Sequence, residues 1–150
     1  MQALLDVNVL ISALLVCTGA PARLVGQWLE GEFELVVTER SLAELEATLA
    51  RPKPFRHVDE AEACEFLGLL RGLAEWVADP DAEPVITSRD PKDDYLIAAA
   101  ASARATLVTG DAHLLELEGS IPVLSPPAFL DSLLGRPPTA AASSRLGSEA

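Results

Sequence analysis

Short apolar runs alternate along this chain with longer stretches in which apolar residues recur at helical spacing. The runs have the length of buried strands, and the stretches between them have the length of helices. Predicted strands cover residues 2–5, 33–37, 106–109 and 121–124, with a short edge strand at 76–78. Predicted helices cover residues 9–16, 21–29, 39–49, 59–76, 92–104, 112–117 and 126–134. Because strands that alternate with helices favour parallel pairing, the pattern predicts an α/β fold with a mostly parallel sheet.

The length and composition indicate one domain followed by a tail. A chain of 150 residues, 49% of them hydrophobic, is long enough to bury a sizeable core. From about residue 135 the composition turns to Pro, Ala, Ser and Gly, so we expect a folded domain over residues 1–134 and a disordered tail over 135–150. The chain has no apolar run of membrane-spanning length and its N-terminus lacks the features of a signal peptide, so we expect a cytoplasmic protein without a membrane span.

The cysteine and histidine patterns argue against a zinc site and a catalytic triad. Cys17 and Cys64 lie far apart in the sequence, and we expect both to be buried free thiols. His57 and His113 lack the paired spacing of zinc ligands. No serine lies in the sequence context of a nucleophile elbow. Chemistry in this chain is therefore expected to come from its acidic residues.

Four acidic residues stand at or near the ends of separate predicted elements. They are Asp6 after the first strand, Glu44 in the helix after the second, Asp94 at the start of an alanine-rich helix, and Asp111 after the fourth strand. The carboxyl ends of parallel strands meet at one edge of the sheet, where α/β proteins bind ligands. Clustered carboxylates repel one another unless a cation neutralises them, and oxygen ligands suit Mg²⁺ and Mn²⁺. The sequence therefore predicts a metal-dependent enzyme that acts on phosphates.

Each of these acids also has a purely structural explanation. Asp6 and Asp111 can cap helices, and Glu44 can be a solvated surface acid. A carboxylate directly after buried apolar residues is costly without a partner, which favours a functional Asp6. Asn8 is expected either to cap the next helix or to support the metal ligands, and Thr109 is expected to place its hydroxyl near the metals.

The net charge of −12 is unusual for a protein that binds nucleic acid, because phosphate binding normally uses Lys and Arg. Bound metal would offset the clustered acids but would still leave an acidic surface. One local basic patch without acidic residues is formed by Arg51, Lys53, Arg56 and His57. Its arginines and lysine are candidate contacts for an RNA backbone. Alternatively, a basic partner masks the acidic surface.

The segments around the four acids resemble the PIN-domain family, metal-dependent nucleases that include the toxin ribonucleases of bacterial toxin–antitoxin pairs. The matching segments are residues 6–10, 41–45 with 49–52, 89–94 with 96–100, and 107–111 with 114–115. They run in the family's order with the expected elements between them, over about residues 2 to 130. The departure is Val7, where the family often has a hydroxyl, so a hydrogen bond from this position is not expected.

The resemblance implies a three-layer α/β/α PIN-like fold around the mostly parallel sheet. The acids that it assigns to the metal are Asp6, Glu44, Asp94 and Asp111. Asp93 is an alternative third ligand, and Asp90 is expected to order its loop, although carboxylates at a helix start also complement the helix dipole.

The activity implied by the resemblance is hydrolysis of RNA phosphodiester bonds with one or two Mg²⁺ or Mn²⁺ ions. In a two-ion site the metals would activate a water and stabilise charge on the phosphate. Similar proteins are held inactive by a cognate antitoxin, and many dimerise. The expected partners are therefore an RNA substrate, an antitoxin protein and a second copy of the chain.

Three other functions share parts of this pattern. A phosphatase of the haloacid dehalogenase type needs a second Asp two residues after the first, where this chain has Asn8, and a Lys in mid-chain. The lysines here, Lys53 and Lys92, are poorly placed for that role. A phospho-receiver domain needs a Lys after a late strand, which the chain lacks. A PIN-like domain kept only for binding is the remaining alternative, but unused clustered acids would be destabilising.

Overall fold

The strands and helices alternate along the chain as the sequence pattern predicts. The computed structural model describes residues 1–51, 58–81, 84, 86–88 and 93–136. In chain order the elements are β1 (Gln2–Leu5), α1 (Val7–Leu15), α2 (Ala20–Leu29), β2 (Glu34–Val37), α3 (Glu39–Ala50), α4 (Glu60–Leu73), β3 (Glu75–Trp76), α5 (Asp94–Ala103), β4 (Thr106–Val108), α6 (Ala112–Leu115), β5 (Val123–Leu124) and α7 (Pro126–Leu133). All strands except β1 are shorter than predicted.

Among the described residues, the sheet has five strands in the order β3-β2-β1-β4-β5, and every pairing is parallel. The prediction of a three-layer fold with a mostly parallel sheet is confirmed. β1 lies at the centre, with Leu4 opposite Val36 of β2 on one side and Leu107 of β4 on the other. Both faces of such a sheet are covered by helices, which explains why its strands are apolar throughout rather than alternating.

Two apolar cores lie on the two faces of the sheet. Ala3 and Leu5 of β1 point into the larger core, which α1, α2, α3, α4 and α7 supply with buried side chains. Leu4, between them, points into the smaller core with α5 and α6. The alanines of α5, such as Ala99 and Ala100, are buried against this face, so their small side chains let the helix approach the sheet closely.

The start of α1 differs from the prediction. Of the two roles expected for Asn8, the capping role is wrong, because Asp6 is the N-cap residue and its side chain accepts a hydrogen bond from the backbone N–H of Asn8. Asn8 itself is exposed within the first turn, whereas Asp6 is buried. The helix therefore begins directly after β1 ends, and one side chain serves both the strand end and the helix start.

The expectation that both cysteines are buried is wrong, since Cys17 and Cys64 are exposed. Cys17 lies in the turn between α1 and α2. In α4 the buried residues are Phe66 and Leu70, one helical turn apart, and Cys64 lies on the opposite side of the helix. Cys17 is therefore exposed because it lies in a turn, and Cys64 because it faces away from the core.

The C-terminal part of the described chain folds back on α7. The backbone N–H of Arg136 donates to the carbonyl of Asp131, and the Arg136 guanidinium forms an ion pair with the buried Asp131 carboxylate at 3.0 Å. The predicted tail begins at 135, but residues 137–150 lie outside the described residues, and the domain boundary stays a prediction. In the described part of the chain, no single helix is long and apolar enough to cross a membrane, and α1 with α2 passes that test only as a pair bent by 97°.

Candidate functional site

The strand order of the sheet reverses between the neighbouring strands β1 and β4. From β1 the chain continues to β2 on one side, whereas β4 lies on the other side and continues to β5. Neighbouring parallel strands whose connections leave in opposite directions open a crevice at their carboxyl ends, where α/β proteins bind ligands. Asp6 follows β1 and Thr109 follows β4, so both residues lie at this crevice.

Asp6 is a buried carboxylate at the centre of the crevice, with 6% of its surface exposed. One oxygen, Oδ2, accepts a hydrogen bond from the Thr109 hydroxyl at 2.8 Å, and the other accepts from the backbone N–H of Asn8 at 3.2 Å. Burial raises the pKa of Asp6 above its ordinary value of 3.8, and these two hydrogen bonds partly oppose that rise. The nearby charges of Asp111 and Glu44 raise the pKa of Asp6 further, because like charges disfavour its ionised form.

Thr109 connects Asp6 to Asp111. The Thr109 hydroxyl donates to Asp6 and accepts a hydrogen bond from the backbone N–H of Asp111 at 3.0 Å. The Asp111 carboxylate accepts from the backbone N–H of His113 at 2.8 Å and so caps α6. Thr109 is fully buried, so its hydroxyl depends on these two partners.

Glu44 reaches the crevice from α3. Its carboxylate accepts a hydrogen bond from the hydroxyl of Tyr95, which lies at the start of α5. The guanidinium of Arg40, one helical turn before Glu44, lies over the Tyr95 ring with its carbon 4.1 Å from the ring centroid. Burial, followed by the hydrogen bond to Glu44, raises the pKa of Tyr95 well above its ordinary value, so the hydroxyl stays a donor.

Asp94 is half-buried at the first residue of α5, and its carboxylate accepts from the backbone N–H of Ser88 at 2.9 Å. Asp93 is the N-cap residue of that helix, without a side-chain capping bond. Asp94 immediately precedes Tyr95, whose hydroxyl donates to the Glu44 carboxylate. Asp90 lies outside the described residues, and the choice between Asp93 and Asp94 as third ligand stays a prediction.

The predicted basic patch is described only at its first residue. Arg51 is exposed at the end of α3 and donates to the Thr48 hydroxyl at 3.1 Å. Lys53, Arg56 and His57 lie outside the described residues. Their role as RNA contacts stays a prediction.

The donor set fits a hard divalent cation in its chemistry. Asp6, Asp111 and Glu44 offer only carboxylate oxygens, and a cation between them would relieve both their mutual repulsion and the desolvation of Asp6. Within the ranges that the structure describes, no three acidic, histidine or cysteine side chains are grouped closely enough to hold an ion in this arrangement. Ligation by all of them would therefore require side-chain movement.

The fold and the crevice define an α/β protein with an acidic site at the switch point of a parallel sheet. The chain belongs to the PIN-domain family, because the family model described as PIN domain matches residues 2–113. PIN domains are in general metal-dependent nucleases, which typically use divalent ions such as Mg²⁺ or Mn²⁺.

A solved structure supports the same fold. The crystal structure of PAE2754 from Pyrobaculum aerophilum is similar to this chain over 91% of both chains, with a TM-score of 0.55 and 20% sequence identity. At this identity the similarity shows the fold alone. No curated protein matches the chain in sequence.

Two residues at the crevice, Arg40 and Tyr95, were not singled out by sequence reasoning. A signal for Arg40 was available, since it precedes Glu44 by four residues and therefore lies on the same face of α3. Tyr95 is adjacent to Asp94, but its contact with Glu44 joins residues 51 positions apart. A pattern in one helix cannot show such a contact.

Proposed function

We propose that this chain is a metal-dependent endoribonuclease that hydrolyses RNA phosphodiester bonds at the crevice of Asp6, Glu44, Asp94 and Asp111. The observation that carries the proposal is the buried Asp6 carboxylate, electrostatically coupled to Asp111 and Glu44 at the switch point of a PIN fold. A protein kept only to bind a partner has no evident need to bury a carboxylate beside two others. Membership of the PIN-domain family also argues against the phosphatase and phospho-receiver alternatives.

In this proposal the four acids bind Mg²⁺ or Mn²⁺, and the neighbouring residues hold the acids in place. Thr109 fixes the direction of the Asp6 carboxylate and, through the Asp111 backbone, the start of α6. Tyr95 holds Glu44 toward the crevice. The backbone of Ser88 holds Asp94. When bound, the ion supplies an activated water and stabilises negative charge on the phosphate.

The burial of Asp6 also strengthens the interaction that its carboxylate would make with a cation. A carboxylate surrounded by protein interacts more strongly with a cation than an exposed one does, because less solvent screens the charges. The hydroxyl of Thr109 and the backbone N–H of Asn8 replace the water that Asp6 loses on burial. These contacts keep the carboxylate oriented before an ion arrives.

The finer parts of the proposal concern partners and place. We propose that the chain is the toxin of a toxin–antitoxin pair and that it acts in the cytoplasm. We also propose that it forms a homodimer and that a cognate antitoxin binds it. The net charge of −12 supports a basic antitoxin segment, because opposite charges favour association. Arg51, Lys53 and Arg56 are proposed as RNA contacts.

The experiment that tests the nuclease is incubation of the purified chain with mixed RNAs and Mn²⁺, beside the Asp6→Asn variant and a chelator control. Cleavage by the unsubstituted chain that disappears in both controls is the expected result. Cleavage that persists in Asp6→Asn would contradict the assigned site. No cleavage of any RNA, with Mn²⁺ binding retained, would favour the alternative of a PIN domain that only binds.

A further inference from the structure

Arg40 lies at the rim of the acidic crevice, where its side chain contacts Tyr95. Its guanidinium lies over the Tyr95 ring, with the guanidinium carbon 4.1 Å from the ring centroid. The hydroxyl of the same tyrosine donates a hydrogen bond to Glu44. A planar guanidinium on an aromatic face keeps its N–H donors free at its edges. Arg40 is therefore oriented by the residue that also holds one of the proposed metal ligands.

Within the described ranges, the positive charge of Arg40 is not neutralised by an ion pair. Among the residues that the structure describes, no carboxylate forms a salt bridge with its guanidinium. The neighbouring Asp79 accepts instead from the backbone N–H of Arg40, at 3.1 Å. An exposed guanidinium that stacks on the ring bonded to Glu44, in a chain of net charge −12, is suited to a negatively charged ligand.

We propose that Arg40, stacked on Tyr95, is a binding residue for a backbone phosphate of single-stranded RNA that enters the crevice. This inference rests on the proposed ribonuclease function and adds a substrate contact to it. Arg is suited to this role because its donors match phosphate oxygens, and single strands are bound by cations placed beside aromatic rings. The contact would also lower the repulsion between the phosphate and the surrounding acids.

The test is binding of a fluorescein-labelled single-stranded oligoribonucleotide, measured by fluorescence anisotropy across a series of KCl concentrations. All proteins carry Asp6→Asn so that the strand is not cut, and Mg²⁺ is kept constant. Arg40→Gln is compared with Arg23→Gln, which removes the same charge from an exposed residue of α2. Thermal unfolding by circular dichroism verifies that each variant is folded.

We expect Arg40→Gln to weaken binding about tenfold at low salt, the effect of losing one charged hydrogen-bonded contact. The slope of log K against log salt should become shallower by about 0.7, the value for one phosphate contact on a single strand. Arg23→Gln should change neither quantity. Equal affinities and slopes for the two glutamine variants would overturn the inference.

Two further variants test the role of the ring. Tyr95→Phe keeps the stacking surface and removes the hydroxyl, so RNA binding should be retained. Tyr95→Leu removes the ring and should weaken binding as Arg40→Gln does. Equal binding by the leucine and phenylalanine variants would contradict the stacked arrangement.

Cleavage by the chain with Asp6 intact separates this inference from the proposed function. If that chain cleaves RNA while Arg40→Gln binds normally, the phosphate contact is wrong and the ribonuclease stands. With Asp6 intact, Arg40→Gln is expected to raise KM and leave kcat nearly unchanged, as for a contact made equally in the ground and transition states. Absence of both binding and cleavage would overturn both proposals.

Discussion

Asp6 is the residue at which ligand binding and stability oppose each other. Its carboxylate is buried, and burial, together with Asp111 and Glu44, raises its pKa above the ordinary value of 3.8. Between the unfolded and folded pKa values the folded state binds more protons, so stability decreases as the pH rises through that window. Above the pKa of Asp6 in the folded state, this loss of stability is complete and no longer changes with pH. At neutral pH the metal-free fold therefore carries the cost of an ionised, buried carboxylate.

The first prediction concerns Asp6→Asn. The amide can still accept from the backbone N–H of Asn8 and can donate to Thr109, so we expect a folded protein with no loss of stability at neutral pH in chelator. Any excess of the unfolding free energy of Asp6→Asn over that of the unsubstituted chain should shrink as the pH falls toward 3.8. At that pH the unsubstituted Asp6 becomes neutral too. Activity should fall on the order of 10³-fold, since a lost metal ligand costs several kcal/mol of transition-state stabilisation.

Urea unfolding at several pH values, with chelator present, measures the stability part of this prediction. Parallel pH profiles for the two proteins would show that Asp6 does not contribute the expected pH dependence. RNA cleavage rates with Mn²⁺ measure the activity part.

The second prediction concerns Thr109, whose hydroxyl is bonded to Asp6 and to the backbone of Asp111. Thr109→Val keeps the shape but leaves a buried carboxylate oxygen and an N–H without this partner, which should cost about 1–3 kcal/mol of unfolding free energy. Thr109→Ser keeps the hydroxyl and is the control. If the valine variant is no less stable than the serine variant in urea unfolding, the hydrogen bonds of the hydroxyl do not determine stability at this position.

At the scale of elements, the sequence pattern was sufficient for the order of strands and helices but not for their ends. The apolar runs identify β1 and β2 because both faces of the sheet are covered. Asp6 and Asn8 are about equally good helix caps by composition, so the sequence could not determine where α1 begins. Thr38 caps α3, where it forms a reciprocal capping box with Ser41.

The candidate site was predictable only in part for a similar reason. Strand ends can be predicted from apolar runs, and Asp6, Thr109 and Asp111 lie at such ends. Glu44 and Tyr95 come from helices on different parts of the chain, and their contact depends on how α3 and α5 pack. Packing of this kind leaves no periodic signal in either segment.

The third prediction concerns the end of α5, where Arg104 has a left-handed backbone with φ of 56°. This conformation is unfavourable for a residue with a Cβ by roughly 1–2 kcal/mol, and glycine adopts it freely but loses more entropy on folding. Arg104→Gly should therefore stabilise the protein by about 0.5–1 kcal/mol. Urea unfolding beside an Arg104→Ala control measures it, and a glycine variant no more stable than the alanine variant would contradict the explanation.

At the scale of the whole molecule, the acids of the crevice belong to a chain with a large negative charge of −12. Such a charge disfavours the compact state through repulsion, and any added salt screens it. The stabilisation that comes from a specific ion is a separate effect, because it depends on binding to the folded state alone. Specific ion binding should depend on Asp6, whereas screening of the net charge should not.

The fourth prediction is that Mn²⁺ raises the melting temperature of the unsubstituted chain more than it raises that of Asp6→Asn. At about a hundred times the dissociation constant the binding contribution is about 2.7 kcal/mol. Melting scans in Mn²⁺ and in NaCl of equal ionic strength, with excess chelator to reverse the effect, provide the measurement. Equal shifts for both proteins would mean that charge screening alone is responsible.

The central position of β1 in the sheet has a consequence for the order of synthesis. β1 is made first, but it is paired on one side with β4, and the bond between Asp6 and Thr109 joins residues 103 positions apart. A nascent chain that has not yet exposed β4 leaves one edge of β1 unpaired and its Asp6 without the Thr109 hydroxyl. The crevice therefore cannot assemble until synthesis has passed Thr109, so its clustered acids come together only after both strands that pair with β1 have been made.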